Sequence, residues 1–246
     1  MSANILAVVG SKGGVGKSAV AFNLALAYAR RGKRAVVVDL DLGFRCQSMF
    51  FGTESDIVFD LSDMLCTDSF DLDQALKPCV FQTGLYLLPA CADPFARLDF
   101  ERLSLVFATL RTRFDIVILD TPPSVSRGFI AAISLADSTC VVTVPDPLSV
   151  KSAALCARLA AKAGIEAQRL VINKVPEKEL PPYAIKDFDR IIDEVGVPLA
   201  GVIPLFSGLD GYLQYAKPVP PKTNFSRSLE NISRRLDGED VSLLIG

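Results

Sequence analysis

Histidine is absent from all 246 residues, and none of the six cysteines pairs as C-x-x-C. Those two gaps leave neither the donor set nor the spacing of a zinc site. The cysteines at 46, 66, 79, 91, 140 and 156 are scattered, several within apolar runs. Reduced and mostly buried thiols are expected rather than a disulfide framework. No uninterrupted apolar stretch reaches the ~18 residues that a membrane-crossing helix needs. Strong charge of either sign is also missing. With 26 basic and 28 acidic residues the net charge is −2, which argues against a globally basic nucleic-acid binder. Repeats and long linkers are lacking, and the one proline-rich stretch, 217–222, reads as a rigid turn too short to part domains. A first strand starts almost at once after Met1, so no signal peptide is expected and the protein should be cytoplasmic.

What the chain does have is an ordinary globular composition, 50% apolar and 22% charged. Its length suits one α/β domain over 1–246, with roughly 70–75% of the unfolded surface buried. Short continuous apolar runs predict strands at 5–10, 34–39, 84–89, 115–120, 139–144, 169–173 and 199–203. Helical periodicity predicts helices at 18–31, 99–113, 147–163, 183–194 and 223–236. The strands are β-branched throughout rather than alternating with polar residues, as a parallel sheet covered on both faces requires. Repeated β-α order with right-handed crossovers gives a doubly wound sheet.

The densest chemical signal lies between the first strand and the first helix: Ser11, Lys12, Gly13, Gly14, Val15, Gly16, Lys17, Ser18 and Ala19. Glycines there let backbone N–H groups close on an anion, and the helix start adds a favourable dipole. Lys17 supplies charge for outer phosphates, and the Ser18 hydroxyl can ligate Mg²⁺. This is a nucleotide site. Ligands of such sheets bind beyond the C-terminal strand ends. Three of these ends carry useful groups. Asp39 and Asp41 follow the second strand, on one side of an extended chain. Asp120 ends the run Ile-Val-Ile-Leu-Asp, a Walker B pattern whose carboxylate reaches a metal through water, and is followed by Thr121-Pro122-Pro123-Ser124. Asn173 ends a late strand, where a carboxamide can pair with a base edge, and Pro204 ends the last one.

The segment K-G-G-V-G-K-S resembles the deviant Walker A motif of the MinD/ParA family of dimerising ATPases. The stretches D-L-D-L-G-F-R (39–45), F-D-L-S-D-M-L (59–65), L-Y-L-L-P-A (85–90) and G-F-I-A-A-I-S-L-A-D (128–137) are similar to its MinD branch. The resemblance implies binding of ATP or ADP with Mg²⁺, a homodimer formed around two nucleotides, and dissociation after hydrolysis. It implies that Lys12 reaches across the dimer to the partner's nucleotide while Lys17 holds phosphates in its own subunit. It further implies that Asp41 positions or activates the attacking water. Asp39, Ser18 and Asp120 would serve the metal, Asn173 would recognise the base, and the loop after Pro204 would pack on the purine. A protein partner that stimulates hydrolysis is implied as well, in placing the division site or another cellular structure. Alternatives are a ParA-like DNA-partitioning ATPase, or a nucleotide-sensing adaptor of a flagellar, pilus or secretion machine with little turnover.

The C-terminal segment departs from that branch, whose members usually end in a basic amphipathic helix. In 223–236, Phe225, Leu229, Ile232 and Leu236 fall on one face, the pattern of a helix docked on its own core. From 222 to 246 there are four basic residues (Lys222, Arg227, Arg234, Arg235) and four acidic (Glu230, Asp237, Glu239, Asp240). Each basic residue near an anionic bilayer is worth ~1 kcal/mol, and the acids forfeit much of it. The stretch Val241–Ile245 is too short to anchor alone, so peripheral contact with the inner membrane face is a lesser expectation, and DNA binding a lesser one still. Cys46 stands where relatives usually carry asparagine.

Overall fold

The computed structural model describes residues 3–66, 71–96, 99–123, 125–178 and 180–244. Ser124, Ile245 and the side chain of Cys66 lie outside the described residues. The chain opens with β1 (Asn4–Val9), α1 (Lys17–Arg30) and β2 (Ala35–Asp39). Three short helices follow, α2 (Cys46–Phe51), α3 (Leu61–Cys66) and α4 (Leu72–Ala75), then β3 (Lys77–Pro78) and β4 (Leu85–Leu88). Regular alternation resumes with α5 (Phe100–Arg113), β5 (Ile116–Asp120), α6 (Arg127–Leu135), β6 (Ser138–Thr143), α7 (Pro147–Lys162) and β7 (Ala167–Val175). The last elements are α8 (Phe188–Val195), β8 (Leu199–Pro204), α9 (Leu209–Gln214) and α10 (Asn224–Leu236).

Eight strands form one sheet in the order β3-β4-β2-β5-β1-β6-β7-β8. All pairings are parallel except that of the short edge strand β3 with β4. The architecture is the doubly wound α/β sheet expected. Alternation along the strands sorts side chains onto two cores. Ile5, Ala7, Val9, Val36, Val38, Val117 and Leu119 meet α5, α6 and α7 on one face. Leu6, Val8, Val37 and Ile118 meet α1 and α10 on the other. That same alternation has a chemical consequence at the strand ends. Asp39 and Asp120 continue the α1-facing rows of β2 and β5, and the register sets them opposite each other.

The helix expected at 183–194 instead begins at Phe188, because the Asp187 carboxylate accepts from the N–H groups of Asp189 and Arg190 and caps it there. The last helix docks as its apolar stripe requires: Phe225, Leu229 and Ile232 are buried, and Tyr28 of α1 donates its hydroxyl to the Ser233 carbonyl at 3.1 Å. Cys79, Cys91, Cys140 and Cys156 are buried and form no disulfide among the described residues, and burial raises the Cys140 thiol to about 12. Among the described residues no helix is long and apolar enough to cross a membrane.

Candidate functional site

The site begins where β1 gives way to α1. Gly10 passes so close to β6 that a Cβ there would sit 2.7 Å from the Val142 carbonyl oxygen. Gly16 caps α1 in the left-handed region at φ 91°, and no side chain caps the helix. The first-turn N–H groups are therefore left for an anion, beside the positive end of the helix. A Cβ on Gly16 would lie 2.5 Å from the Asn173 side-chain nitrogen, so the position has room for glycine alone. Asn173 donates to the Val15 carbonyl at 2.8 Å, and Lys174 Nζ donates to the Gly14 carbonyl at 2.8 Å. The phosphate loop is thus held from β7.

Ser11, which stands where the ordinary phosphate-loop pattern has glycine, is tied to α7 through hydroxyl contact with Ser152. Lys12 is not free either. Its Nζ lies 3.0 Å from both carboxylate oxygens of Asp146, the residue that caps α7. Burial pushes the Asp146 carboxyl up, but hydrogen bonds from Ser149 and Lys12 outweigh it and hold the group below the usual carboxylate range.

Lys17 is 6% exposed. Burial lowers its pKa, while Asp120 and Asp41 pull it back towards the charged form. Asp39 and Asp120 are fully buried. Burial raises Asp120 to about 6, and burial with the Asp120 charge raises Asp39 well above the carboxylate range. Asp39 Oδ1 accepts the Asp41 N–H at 3.0 Å, which turns the chain back towards the loop. Asp41 is half-buried, and burial raises it against the lowering influence of Lys17. Thr121 donates to the Val8 carbonyl at 2.7 Å and pins the segment after β5 to β1.

Lys17, Asp41, Thr121, Asn173 and Lys174 share one cleft of about 490 Å³ at the C-terminal ends of the strands. Gly13, Gly14, Gly16, Lys17, Ser18, Ala19 and Asp41 line one side, and Asn173, Pro204 and the 205–210 loop line the other. Ser11 and Lys12 are held instead against Ser152 of α7 and its capping Asp146. Sequence reading missed three participants: Asp146, Lys174 and Gln47. The Gln47 Nε2 donates to Asp120 at 2.7 Å and to the Ser18 carbonyl at 3.0 Å. Asp146 alone left a trace, an acid followed by proline at a helix start.

A divalent cation fits this end of the cleft. Asp39 Oδ2 and Asp120 Oδ1 are buried without a hydrogen-bond partner, and hard oxygen donors suit Mg²⁺ with its retained waters. Burying two such carboxylate oxygens is costly unless protons or a cation compensate them, and burial accordingly raises both groups.

A family model described as the CobQ/CobB/MinD/ParA nucleotide binding domain matches residues 6–219. The septum site-determining protein MinD of Bacillus subtilis is 32% identical over 246 residues, covering 98% of this chain and 91% of the relative. The protein of that name from Synechocystis is 30% identical over 244 residues, covering 98% and 91%. Among solved structures, a chain of the MinC:MinD cell division protein complex of Aquifex aeolicus superposes with a TM-score of 0.89 at 26% identity, covering 98% of each chain. MinD complexed with Mg-ADP from Pyrococcus horikoshii superposes with a TM-score of 0.84 at 24% identity over 96% of each chain, a likeness of fold. The phosphate loop, the paired strand-end carboxylates and these likenesses agree: the chain belongs to the MinD/ParA family of P-loop nucleotide-binding ATPase domains, on its MinD branch.

Proposed function

We propose that the protein is an ATPase that binds ATP with Mg²⁺ in this cleft, dimerises on doing so and separates after hydrolysis, serving as a switch in division-site placement. One observation carries the reading: an uncapped helix start, with Lys17 buried beneath it, opens onto two register-matched buried carboxylates. The name shared by the MinD relatives supports the division-site assignment.

In this reading the N–H groups of residues 13–19 and the Lys17 ammonium hold the phosphates. Ser18, Asp39, Asp41 and Asp120 would hold the hydrated Mg²⁺, which when bound neutralises charge on the transferring phosphoryl group. Asp41, with its carboxyl raised by burial, accepts a proton from the attacking water and orients it. Asn173 and the loop after Pro204 flank the base. Lys12, released from Asp146, brings a positive charge to the partner's nucleotide, so that hydrolysis waits for assembly. Exposed apolar side chains at the strand-end face, Phe44, Val125, Leu148 and Leu205, support an interface there.

Sedimentation velocity with ADP, with ATP and without nucleotide tests the reading, together with phosphate release across protein concentrations. The expected result is a monomer except with ATP, and a specific rate that rises with protein concentration. A monomer under all three conditions, or no nucleotide uptake, overturns it.

A further inference from the structure

One buried side chain beside the carboxylates has no part in the proposed reaction. Gln47 sits on the first turn of α2 and is fully buried. Its carboxamide nitrogen reaches Asp120 and the Ser18 carbonyl, and its backbone N–H supports the Asp39 carboxylate. One residue therefore bridges both acids and the start of α1. Its remaining polar atom, Oε1, is buried and lacks a partner, as are Asp39 Oδ2 and Asp120 Oδ1. Three buried oxygens, one each on Gln47, Asp39 and Asp120, thus lack a hydrogen-bond partner.

The chemistry of the side chain is selective. An alkyl group would fill the space without bonding either acid, and a carboxylate would repel both. An amide donates to Asp120 and keeps a buried acceptor in reserve. Buried acceptors of this kind call for protons on oxygen, and water bound to a divalent cation presents two. The amide is also well anchored. Arg45, in the left-handed region at φ 48°, sets the start of α2 by donating to the Ala90 carbonyl at 2.9 Å and pairing with Asp60.

We propose that Gln47 is a positioning residue of the metal site, fixing the Asp120 carboxylate with its nitrogen and accepting a hydrogen bond from a Mg²⁺-bound water with its oxygen. This rests on the nucleotide–Mg²⁺ reading of the cleft. It also makes α2 an element whose placement depends on the cation. Residues that orient a metal's surroundings typically change affinity by about 10–100-fold when removed.

The test is calorimetric titration of ADP into the full chain at a series of Mg²⁺ concentrations and in EDTA, with Mn²⁺ binding followed by electron paramagnetic resonance. For Gln47→Leu, half-saturation by Mg²⁺ should move up about 10-fold or more, a larger change than that in ADP affinity in EDTA. For Gln47→Glu, which keeps an acceptor, the metal requirement should not rise. The melting temperature without metal should fall and its recovery with Mg²⁺ should steepen. An unchanged Mg²⁺ half-saturation in Gln47→Leu overturns the proposal. If that variant does not fold, an unchanged Mg²⁺ half-saturation in Gln47→Met, which keeps the length of the side chain without its donor or its amide acceptor, overturns it instead. Failure of the wild-type chain to bind Mg²⁺–ADP would strike the nucleotide reading itself, a separate outcome.

Discussion

Lys12 and Asp146 form an ion pair within one chain, Nζ lying 3.0 Å from each carboxylate oxygen. The lysine assigned to the partner's nucleotide is thus engaged at home while the chain is alone. The pair is partly exposed, and an interaction of this kind is worth about 1 kcal/mol. Asp146→Asn removes the charge, and asparagine still caps a helix, so α7 should hold. ATP-dependent dimerisation should then set in at about fivefold lower protein concentration, read by sedimentation velocity. An unchanged midpoint would mean the pair does not compete with assembly.

The two loop lysines should separate under mutation. Lys12→Ala should keep ATP affinity and lose hydrolysis. Lys17→Ala should lose both, because its ammonium is the one buried at the start of α1, where the phosphates are proposed to bind. Fluorescent-nucleotide titration beside phosphate release distinguishes them, and equal loss of affinity in both would defeat the division of labour.

Asp41→Ala should leave nucleotide uptake intact and arrest the cycle after assembly. Size-exclusion chromatography should show a persistent dimer with ATP, and a monomer peak alone would count against the role given to Asp41.

Gly16 is required by geometry as well as chemistry. Gly16→Ala places a Cβ against Asn173 at a φ of 91°, and such strain costs about 1–3 kcal/mol. Urea unfolding should register that loss. Gly13→Ala is the control, since a Cβ there meets nothing within 4 Å and the midpoint should not move.

At the other end of the sheet, Arg111 of α5 grips Asp137 with two hydrogen bonds, 2.6 and 2.8 Å, and the Ile5 N–H adds a third at 2.8 Å. Burial raises the Asp137 carboxyl, but the Arg111 and Ile5 bonds outweigh it and hold the group low. A lowered folded-state value means that the stabilisation is complete above the unfolded value, about pH 4, and is lost as pH falls through the folded one. Asp137→Asn should cost about 1 kcal/mol at pH 7, a solvent-discounted figure, and progressively less as the pH falls below the unfolded value of about 4. A difference independent of pH would show that charge is not what holds the contact.

Much of this molecule was legible in its residues because the signals are local. Five apolar positions before a glycine turn mark β1, and Val-Ile-Leu-Asp announces its own strand end. The carboxylate pair could be guessed for the same reason, since each acid closes a run that names its strand. What escaped reading is what the sheet brings together from afar. Gln47 meets Asp120 across 73 residues, Lys12 meets Asp146 across 134, and Lys174 meets Gly14 across 160. No spacing rule reaches so far. Helices such as α2 and α9, six residues each, show too few turns for a periodicity to emerge. The early start expected for α8 failed because a capping aspartate, not the apolar pattern, sets its first residue.

The contact between Tyr28 and Ser233 joins positions 205 residues apart, and β1 is flanked by β5 and β6. A nascent chain leaving the ribosome therefore exposes its glycine loop long before the strands and helix that brace it have been made. The glycine loop, made before the elements that brace it, becomes competent only after them, and any truncation that removes α10 strips the backing from α1.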